Sequence, residues 1–520
     1  MLSVIISHAP LGINGRLISV EVDIRRGIPG IDIVGLPDTA VREAKERVRV
    51  AIRNSGFSYP ADRILVNLAP AGIRKEGAAY DLSMALGILA ASKQIPFDIT
   101  RKIMVLGELN LRGDVRSTTG VLSAVGCGLE NGTNYFIVSK ENLREAQGLK
   151  GGEIFGISSL SEAAKIFSGI TKKNQLKPEK CDPVPIPISS DLYLNSSYGD
   201  FSDIRGQEFM KRALEVAAAG RHHLLLFGPP GSGKSMSVSR FPTILPQLTK
   251  KESLTVTRIH SLAGILPDCT GLIRYPPFRK PHHTASKEGI IGGGALTGPG
   301  EVSLAHEGVL FLDEAPEFNV SLLQSLREPV EEGKVTIVRA GSKLWFPASF
   351  QLILAINPCP CGNLGQKGLA CICTTSEIHR YWKKIGGALL DRIDIRIPLQ
   401  AVPAEELVGE KGESSAKVRA RVLRAVNIQR QRYRGLGFSW NSRIPPGQLS
   451  GFCTLDKQGM LLMAQTARKL GLSSRACHSI IKVARTIADL AASAVIKSDH
   501  LLEAAQHRRF GDNDIFWNFS

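Results

Sequence analysis

Residues 228–235 read Gly-Pro-Pro-Gly-Ser-Gly-Lys-Ser, a complete G-x-x-x-x-G-K-[ST] pattern, directly after the apolar run Leu-Leu-Leu-Phe at 224–227. No other feature narrows the fold as much. A short apolar run that ends in a glycine-rich turn suits a strand buried on both faces, as found in parallel sheets covered by helices. Gly228, Gly231 and Gly233 let backbone N–H groups curl toward a phosphate, and Lys234 sets a cation against the outer phosphates. Ser235 offers a hydroxyl to a magnesium ion, while Pro229, Pro230 and Ser232 complete the loop. A purely structural turn has no need of Lys-Ser at its end. The pattern calls for an α/β domain that binds ATP with Mg2+.

A second buried-strand pattern, Val-Leu-Phe-Leu at 309–312, ends in Asp313-Glu314. Two carboxylates then stand at the C-terminal edge of a strand, where open α/β sheets bind their ligands. Asp313 is expected to hold magnesium, directly or through water, and Glu314 to polarise the water that attacks the terminal phosphate. The other reading is an ordinary acidic strand end. With the phosphate loop present, the pair favours hydrolysis over passive binding.

The chain has 520 residues, enough for roughly three domains. Residues 16–25 alternate apolar and polar groups as a half-buried strand does, and a helix capped by Asp38 carries Val41, Ala44, Val48 and Ile52 on one face. The intervening GIPGIDIVGLP reads as turns. Strands at 64–68 and 135–138, a strand pair over 103–115 turning at Arg112-Gly113, and a helix at 80–91 make the first domain, 1–169, α+β. Residues 170–199 are rich in Lys, Pro, Ser and Asn without apolar period, and read as a linker. The phosphate-loop domain spans 200–402 with further buried strands at 308–312 and 350–356. From 403 to 520 helical patterns take over, at 417–431, 456–470, 475–491 and 498–507.

Lys and Arg number 65 against 48 Asp and Glu, a net charge of +17 that makes nucleic acid the leading partner class. Eight of the cations and no acid lie between Ala416 and Arg443, where Lys417, Arg421 and Arg424 share a helix face that is either DNA-facing or merely solvated. No run reaches the 18 or so apolar residues of a membrane span, and the first residues lack a secretory signal, so a cytoplasmic location is expected. Nine cysteines argue against a disulfide scaffold. Four of them, Cys359, Cys361, Cys371 and Cys373, supply the number of thiolates that tetrahedral zinc takes. The alternative is four reduced, unliganded thiols.

Beyond these patterns, the segments FRKPHHTAS, GEVSLAHEGVLFLDEAPEF, LREPVEEGKVTI, INPCPCG, LLDRIDIRI and ARTIADLA resemble the YifB/ComM family of magnesium-chelatase-like AAA+ ATPases, over essentially the whole chain. The resemblance implies an α/β multidomain protein: a Lon-protease-like (S5-like) α+β front domain, a P-loop AAA+ core with a parallel sheet, and a helical lid. It implies a hexameric ring with nucleotide sites between subunits. For the activity it implies an ATP-driven DNA motor, a branch-migration helicase serving recombination or natural transformation. The alternative is a chelatase-type motor that remodels a protein partner.

Further roles follow from the resemblance alone. Asn357 matches the sensor that holds the attacking water, or else is a turn-former before Pro358. Arg392 matches the arginine finger that reaches a neighbour's γ-phosphate, or else pairs with Asp391 or Asp394. Arg475 matches the sensor-2 arginine, and Asp203 to Gln207 the segment beside adenine. Residues 334–346 read as a β-hairpin turning at Ala-Gly-Ser. In the related helicases such a hairpin projects into the ring channel, which makes Arg339 and Lys343 candidate DNA contacts; the alternative is a hairpin packed on its own subunit. His282 and His283 fall in a segment that resembles a pore-loop insertion, and by spacing they are weak metal ligands. Residues 64–91 and 103–125 resemble the Lon proteolytic domain, with Ala79 at the serine position and Leu122 at the lysine position. Neither side chain can attack a carbonyl or take its proton, so a peptidase is not expected.

Overall fold

The computed structural model describes residues 2–172, 177–179, 198–266, 271–294, 298–339, 342–366, 368–403 and 411–508. Most of the linker expected at 170–199 lies outside them, as does the hairpin tip at 340 and 341. The fold is mixed α/β with one fully parallel sheet and a helical C-terminal region. Contacts divide the chain into two compact units, one made of 1–184, 249–274 and 336–346, the other of 185–248, 275–335 and 347–520.

In the first unit a seven-stranded sheet runs in the order Gly30–Val34, Arg63–Ala69, Arg16–Arg25, Leu2–Ala9, Ile103–Val105, Tyr135–Ser139, Glu153–Ile157. Leu2–Ala9 and Arg63–Ala69 both pair antiparallel with Arg16–Arg25, so Ile18, Val20 and Val22 point to one buried face. The turn-rich segment after Arg25 contains the edge strand Gly30–Val34, which pairs parallel with Arg63–Ala69. The expected pair over 103–115 is split. Ile103–Val105 joins the main sheet, while Glu108–Leu109 pairs with Val115–Arg116 around a turn held by Asn110 Oδ1. The helix Thr39–Asn54 is capped by Asp38, whose carboxylate accepts from Val41 N at 2.8 Å. Asp81–Ala91 is buried all round, and its one charge, Asp81, is met by the Arg47 fork at 2.9 and 3.1 Å.

Two segments drawn from the middle of the chain belong to this unit. The helix Lys250–Leu262 places Ser261 so that it accepts from Gly120 N and donates to the Glu145 carboxylate, at 2.9 and 2.5 Å. The hairpin strands Lys334–Arg339 and Ser342–Pro347 pair with each other. The second passes so close to Gly12, φ +61°, that a Cβ there would lie 2.8 Å from the Trp345 carbonyl.

The second unit is built on a five-stranded parallel sheet in the order Phe278–Arg279, Val309–Leu312, Gln351–Ile356, Leu224–Phe227, Ile395–Pro398. The three middle strands are buried along their whole length, as their apolar runs require, and the one polar residue among them, Gln351, donates its side-chain amide to the Ala217 and His222 carbonyls. The helices Ser415–Arg432, Lys457–Leu470, Ser474–Leu490 and Ser498–Gln506 contribute Val422, Met463, Ile480, Val483 and Leu501 to the same hydrophobic core as Leu224 and Ile395. Burial of Val, Leu and Ile side chains at about 1.5–3 kcal/mol each drives that association. No described helix is long and apolar enough to cross a membrane.

Candidate nucleotide-binding and hydrolysis site

The strand order places the sequence-identified groups on adjacent C-terminal edges. Leu224–Phe227 delivers the phosphate loop and Val309–Leu312 delivers Asp313 and Glu314. Gln351–Ile356 lies between the two and delivers Asn357. Gly231 and Gly233 take φ of +78° and +83°, the left-handed conformation that lets the loop curl into the helix Lys234–Arg240. Gly228 is required for another reason, because a Cβ there would stand 2.5 Å from the Leu399 carbonyl.

Lys234 is nearly buried. Its ammonium donates to the Gly228 and Pro229 carbonyls at 2.6 and 2.9 Å and to Asn357 Oδ1 at 3.2 Å. Burial lowers its pKa to about 8, partly opposed by the Asp313 and Glu314 carboxylates. Asn357 therefore does more than form a turn before Pro358: its side chain points at the phosphate-loop cation. Ser235 Oγ donates to Asp313 Oδ2 at 2.7 Å, bringing together a hydroxyl and a carboxylate, the hard oxygen donors magnesium prefers. These two residues would hold Mg2+, which supplies charge neutralisation at the phosphates. Glu314 is exposed beside them with a left-handed backbone, φ +50°, a conformation uncommon outside glycine and often found at functional sites.

Lys280 was not identified from sequence as part of this site. Its ammonium lies 2.9 Å from Asp313 Oδ2 and over the Phe311 ring. The one signal in the sequence was a cation in a segment attributed to a pore loop. His282 in that segment binds Thr284 Oγ1 at 2.8 Å and packs against His283. Neither histidine joins a metal-ligand group among the described residues.

Arg392 and Arg475 come together on one carboxylate, that of Glu331. The Arg392 guanidinium pairs with Glu331 Oε2 and Arg475 Nη2 with Glu331 Oε1, the latter at 2.9 Å. This pairing holds the Glu331 carboxyl below the usual carboxylate range. The alternative reading of Arg392, an ion pair within its own chain, is met by Glu331 in place of Asp394. Asp394 is buried, bonded to His222 Nδ1 at 3.3 Å and accepting from Ser479 Oγ at 2.5 Å, which keeps it ionised far below the usual range. In the adenine-side segment, Asp203 faces Arg240 at 3.3 Å and Gln207 donates to the Gln400 carbonyl at 2.7 Å.

Of the candidate DNA contacts, Lys343 is exposed on the hairpin, and the Arg339 side chain lies outside the described residues. The basic helix is less free than its sequence suggests. Arg421 pairs with Glu215 and Glu413, Arg432 with Asp489, and Arg443 donates to the Val330 carbonyl; Lys417 and Arg424 remain exposed. The expected shared face of Lys417, Arg421 and Arg424 therefore loses Arg421 to internal pairing.

The Lon-like region contains no nucleophile–base pair at the aligned positions. Leu122 is buried and Ala79 presents a methyl group. Lys75 is buried with its ammonium bonded to the Gly35 and Pro70 carbonyls, and Ser83 Oγ donates to the Tyr80 carbonyl at 2.8 Å.

The four clustered cysteines converge as their spacing suggested, with all four sulfurs within 4.8 Å of one another.

Three family models match in sequence order: subunit ChlI of Mg-chelatase over 20–142, magnesium chelatase subunit ChlI over 200–407, and its C-terminal part over 412–508. Among relatives, the uncharacterized protein YifB of Escherichia coli is 42% identical over 510 residues, 98% of this chain and 97% of that one. The competence protein ComM of Haemophilus influenzae is 38% identical over 516 residues, again 98% and 97%. The chain belongs to the YifB/ComM family of magnesium-chelatase-like proteins. The relationship reaches two more distant proteins over parts of the chain. The magnesium-chelatase 38 kDa subunit of Rhodobacter capsulatus is 28% identical over 176 residues, 30% of this chain and 50% of its own. Lon protease 2 of Bacillus subtilis is 25% identical over 169 residues, 29% and 30%. The family is that of the magnesium-chelatase-like AAA+ proteins.

Proposed function

We propose that the chain is an ATP-hydrolysing DNA motor that works as a hexameric ring in the cytoplasm, a branch-migration helicase acting on recombination intermediates. The observation that carries the ring is the arginine pair. Lys234, Asp313, Glu314 and Asn357 are read as one half of a hydrolysis site, while Arg392 and Arg475 bond Glu331 rather than any of these four. A subunit with both halves apart hydrolyses ATP when a neighbour's arginines reach its γ-phosphate, a contribution worth ~10³–10⁵ in rate. The net charge of +17 and the competence role in the name of the ComM relative support DNA as the substrate. Lys343 and Arg339 on the hairpin are the proposed phosphate contacts. The three-domain division expected from sequence is kept as part of this proposal, with 1–169 as a platform for guiding substrate or assembling the ring.

A chelatase-type motor remodelling a protein partner is the second reading, favoured by the three chelatase models and the Rhodobacter relative. Mass photometry of Glu314→Gln with ATP, alone and with a four-way DNA junction, tests the proposal. A hexamer that binds the junction supports it. A hexamer indifferent to DNA favours the protein-remodelling motor, and a monomer under all conditions overturns the ring.

A further inference from the structure

The cysteine cluster has a geometry of its own. Cys359 Sγ lies 3.4 Å from Cys361 Sγ and 3.6 Å from Cys371 Sγ, and Cys361 and Cys371 are 3.7 Å apart. A disulfide needs about 2.05 Å. Four sulfurs held tetrahedrally at a Zn–S distance of about 2.3 Å stand about 3.8 Å from one another. Leu364 N donates to Cys359 Sγ at 3.4 Å, the kind of outer bond that orients a metal-bound thiolate. The second arm, 368–374, has no helix or strand, and with Ile372 84% exposed it is the half-buried Cys371 and Cys373 that turn inward.

The cluster also touches the nucleotide site at two points. Gly362, φ +82°, backs onto the phosphate loop so closely that a Cβ would lie 2.8 Å from Pro230 Cδ and Cγ. Cys359 follows Asn357-Pro358, and the Pro358 carbonyl accepts from Trp382 Nε1 at 3.0 Å. Trp382 belongs to the helix Thr375–Lys383, which starts just after Cys373. Its ring meets edge-on, at 5.7 Å, that of Phe227, the residue before Gly228. Both cysteine arms thus brace the segment that aims Asn357 at Lys234.

We propose that Cys359, Cys361, Cys371 and Cys373 bind one zinc ion and that this ion clamps Asn357 and Pro230 in the positions ATP binding requires. Binding releases to solvent the protons that the thiols still carry and involves no redox change. Cys359 and its partners are positioning residues here, acting through Asn357 and the loop; the clamp rests on the reading of that loop as an ATP site.

The test uses the full chain, with zinc counted by mass spectrometry and ATP affinity measured with a fluorescent ATP analogue. Wild type should carry about one zinc per chain. Cys371→Ser should lose it with unchanged far-ultraviolet circular dichroism and bind ATP about tenfold more weakly, or ~1.4 kcal/mol, the size of one charge-assisted contact no longer held in place. Cys127→Ser, outside the cluster, should change neither. Should Cys371→Ser not fold, 1,10-phenanthroline stripping of wild type carries the same test, with affinity expected to fall and to return when zinc is restored. Zinc-free wild type that binds ATP normally would overturn the site. Zinc loss without change in ATP affinity would overturn the clamp. Zinc-loaded protein that binds no ATP would overturn the clamp and the nucleotide reading together, while the metal count would stand.

Discussion

Lys234 makes ATP binding sensitive to alkaline pH. Its ammonium is enclosed by the Gly228 and Pro229 carbonyls and by Asn357, and burial brings its pKa from the ordinary 10.5 down to about 8. A bound polyphosphate adds negative charge beside the ammonium and favours the protonated form, so binding is linked to proton uptake once the pH passes the pKa of the free site. The protonated fraction is about 0.9 at pH 7 and about 0.1 at pH 9 for a pKa near 8, so affinity should fall about tenfold, or ~1.4 kcal/mol, over that interval. The nucleotide's own phosphates, with a second pKa of about 6, stay ionised throughout. Lys234→Arg supplies the control: a guanidinium stays charged, and its affinity, whatever its absolute value, should be flat over the same range. The stability of the unliganded protein moves the other way. The unfolded lysine holds its proton to a higher pH than the folded one, so this group makes stability rise with pH between about 8 and 10.5. Weakened binding therefore cannot be assigned to this lysine unfolding the protein. A fluorescent ATP analogue titrated at constant ionic strength measures the effect. A flat wild-type profile, or a Lys234→Arg profile with the same slope as wild type, would refute the reasoning.

Asp489 is fully buried beneath the Arg432 fork at 2.5 and 2.9 Å and also bonds Asn441 and Arg485. Asp489→Ala should destabilise the second unit by ~3–5 kcal/mol, as removing one partner of a buried pair does, and a melting temperature within about 2 °C of wild type would contradict this. Because Arg392 is proposed to serve a neighbour, Arg392→Ala and Lys234→Ala should each be inactive alone and regain ATP turnover when mixed. Mixed rings no faster than the sum of the two would argue for action within one chain. Lys343→Ala should flatten the log–log salt dependence of single-strand binding by ~0.7 for each phosphate that the lysine neutralises. An unchanged slope would remove Lys343 from the interface.

The parts of the site legible in sequence are those written locally. The phosphate loop, Asp313, Glu314 and Asn357 each come directly after an apolar run, and a buried parallel strand must present its next residues at the sheet's C-terminal edge. The C-terminal helices were equally readable because side-chain caps such as Asp456 and Ser473 mark their starts. Features set by distant partners were not. Gly30–Val34 looks like a turn because its glycine-rich flanks outweigh a short edge strand whose ladder comes from Arg63–Ala69. Lys280 reaches Asp313, and Glu331 collects Arg392 and Arg475, across 33, 61 and 144 residues. The basic helix looked free because Glu215, which takes Arg421, lies 206 residues away. Cysteine number was visible in the sequence, but the convergence of the four sulfurs to within 4.8 Å and the approach to Pro230 belong to the folded chain.

The most direct test of the central claim tracks ATP turnover by wild type and Glu314→Gln with no DNA, with single-stranded DNA and with a four-way junction, while junction unwinding is read in parallel. The account predicts turnover that DNA stimulates, unwinding of the junction, and loss of both in Glu314→Gln, with ATP still bound. Robust hydrolysis indifferent to every DNA, with the junction left intact, would contradict a DNA motor.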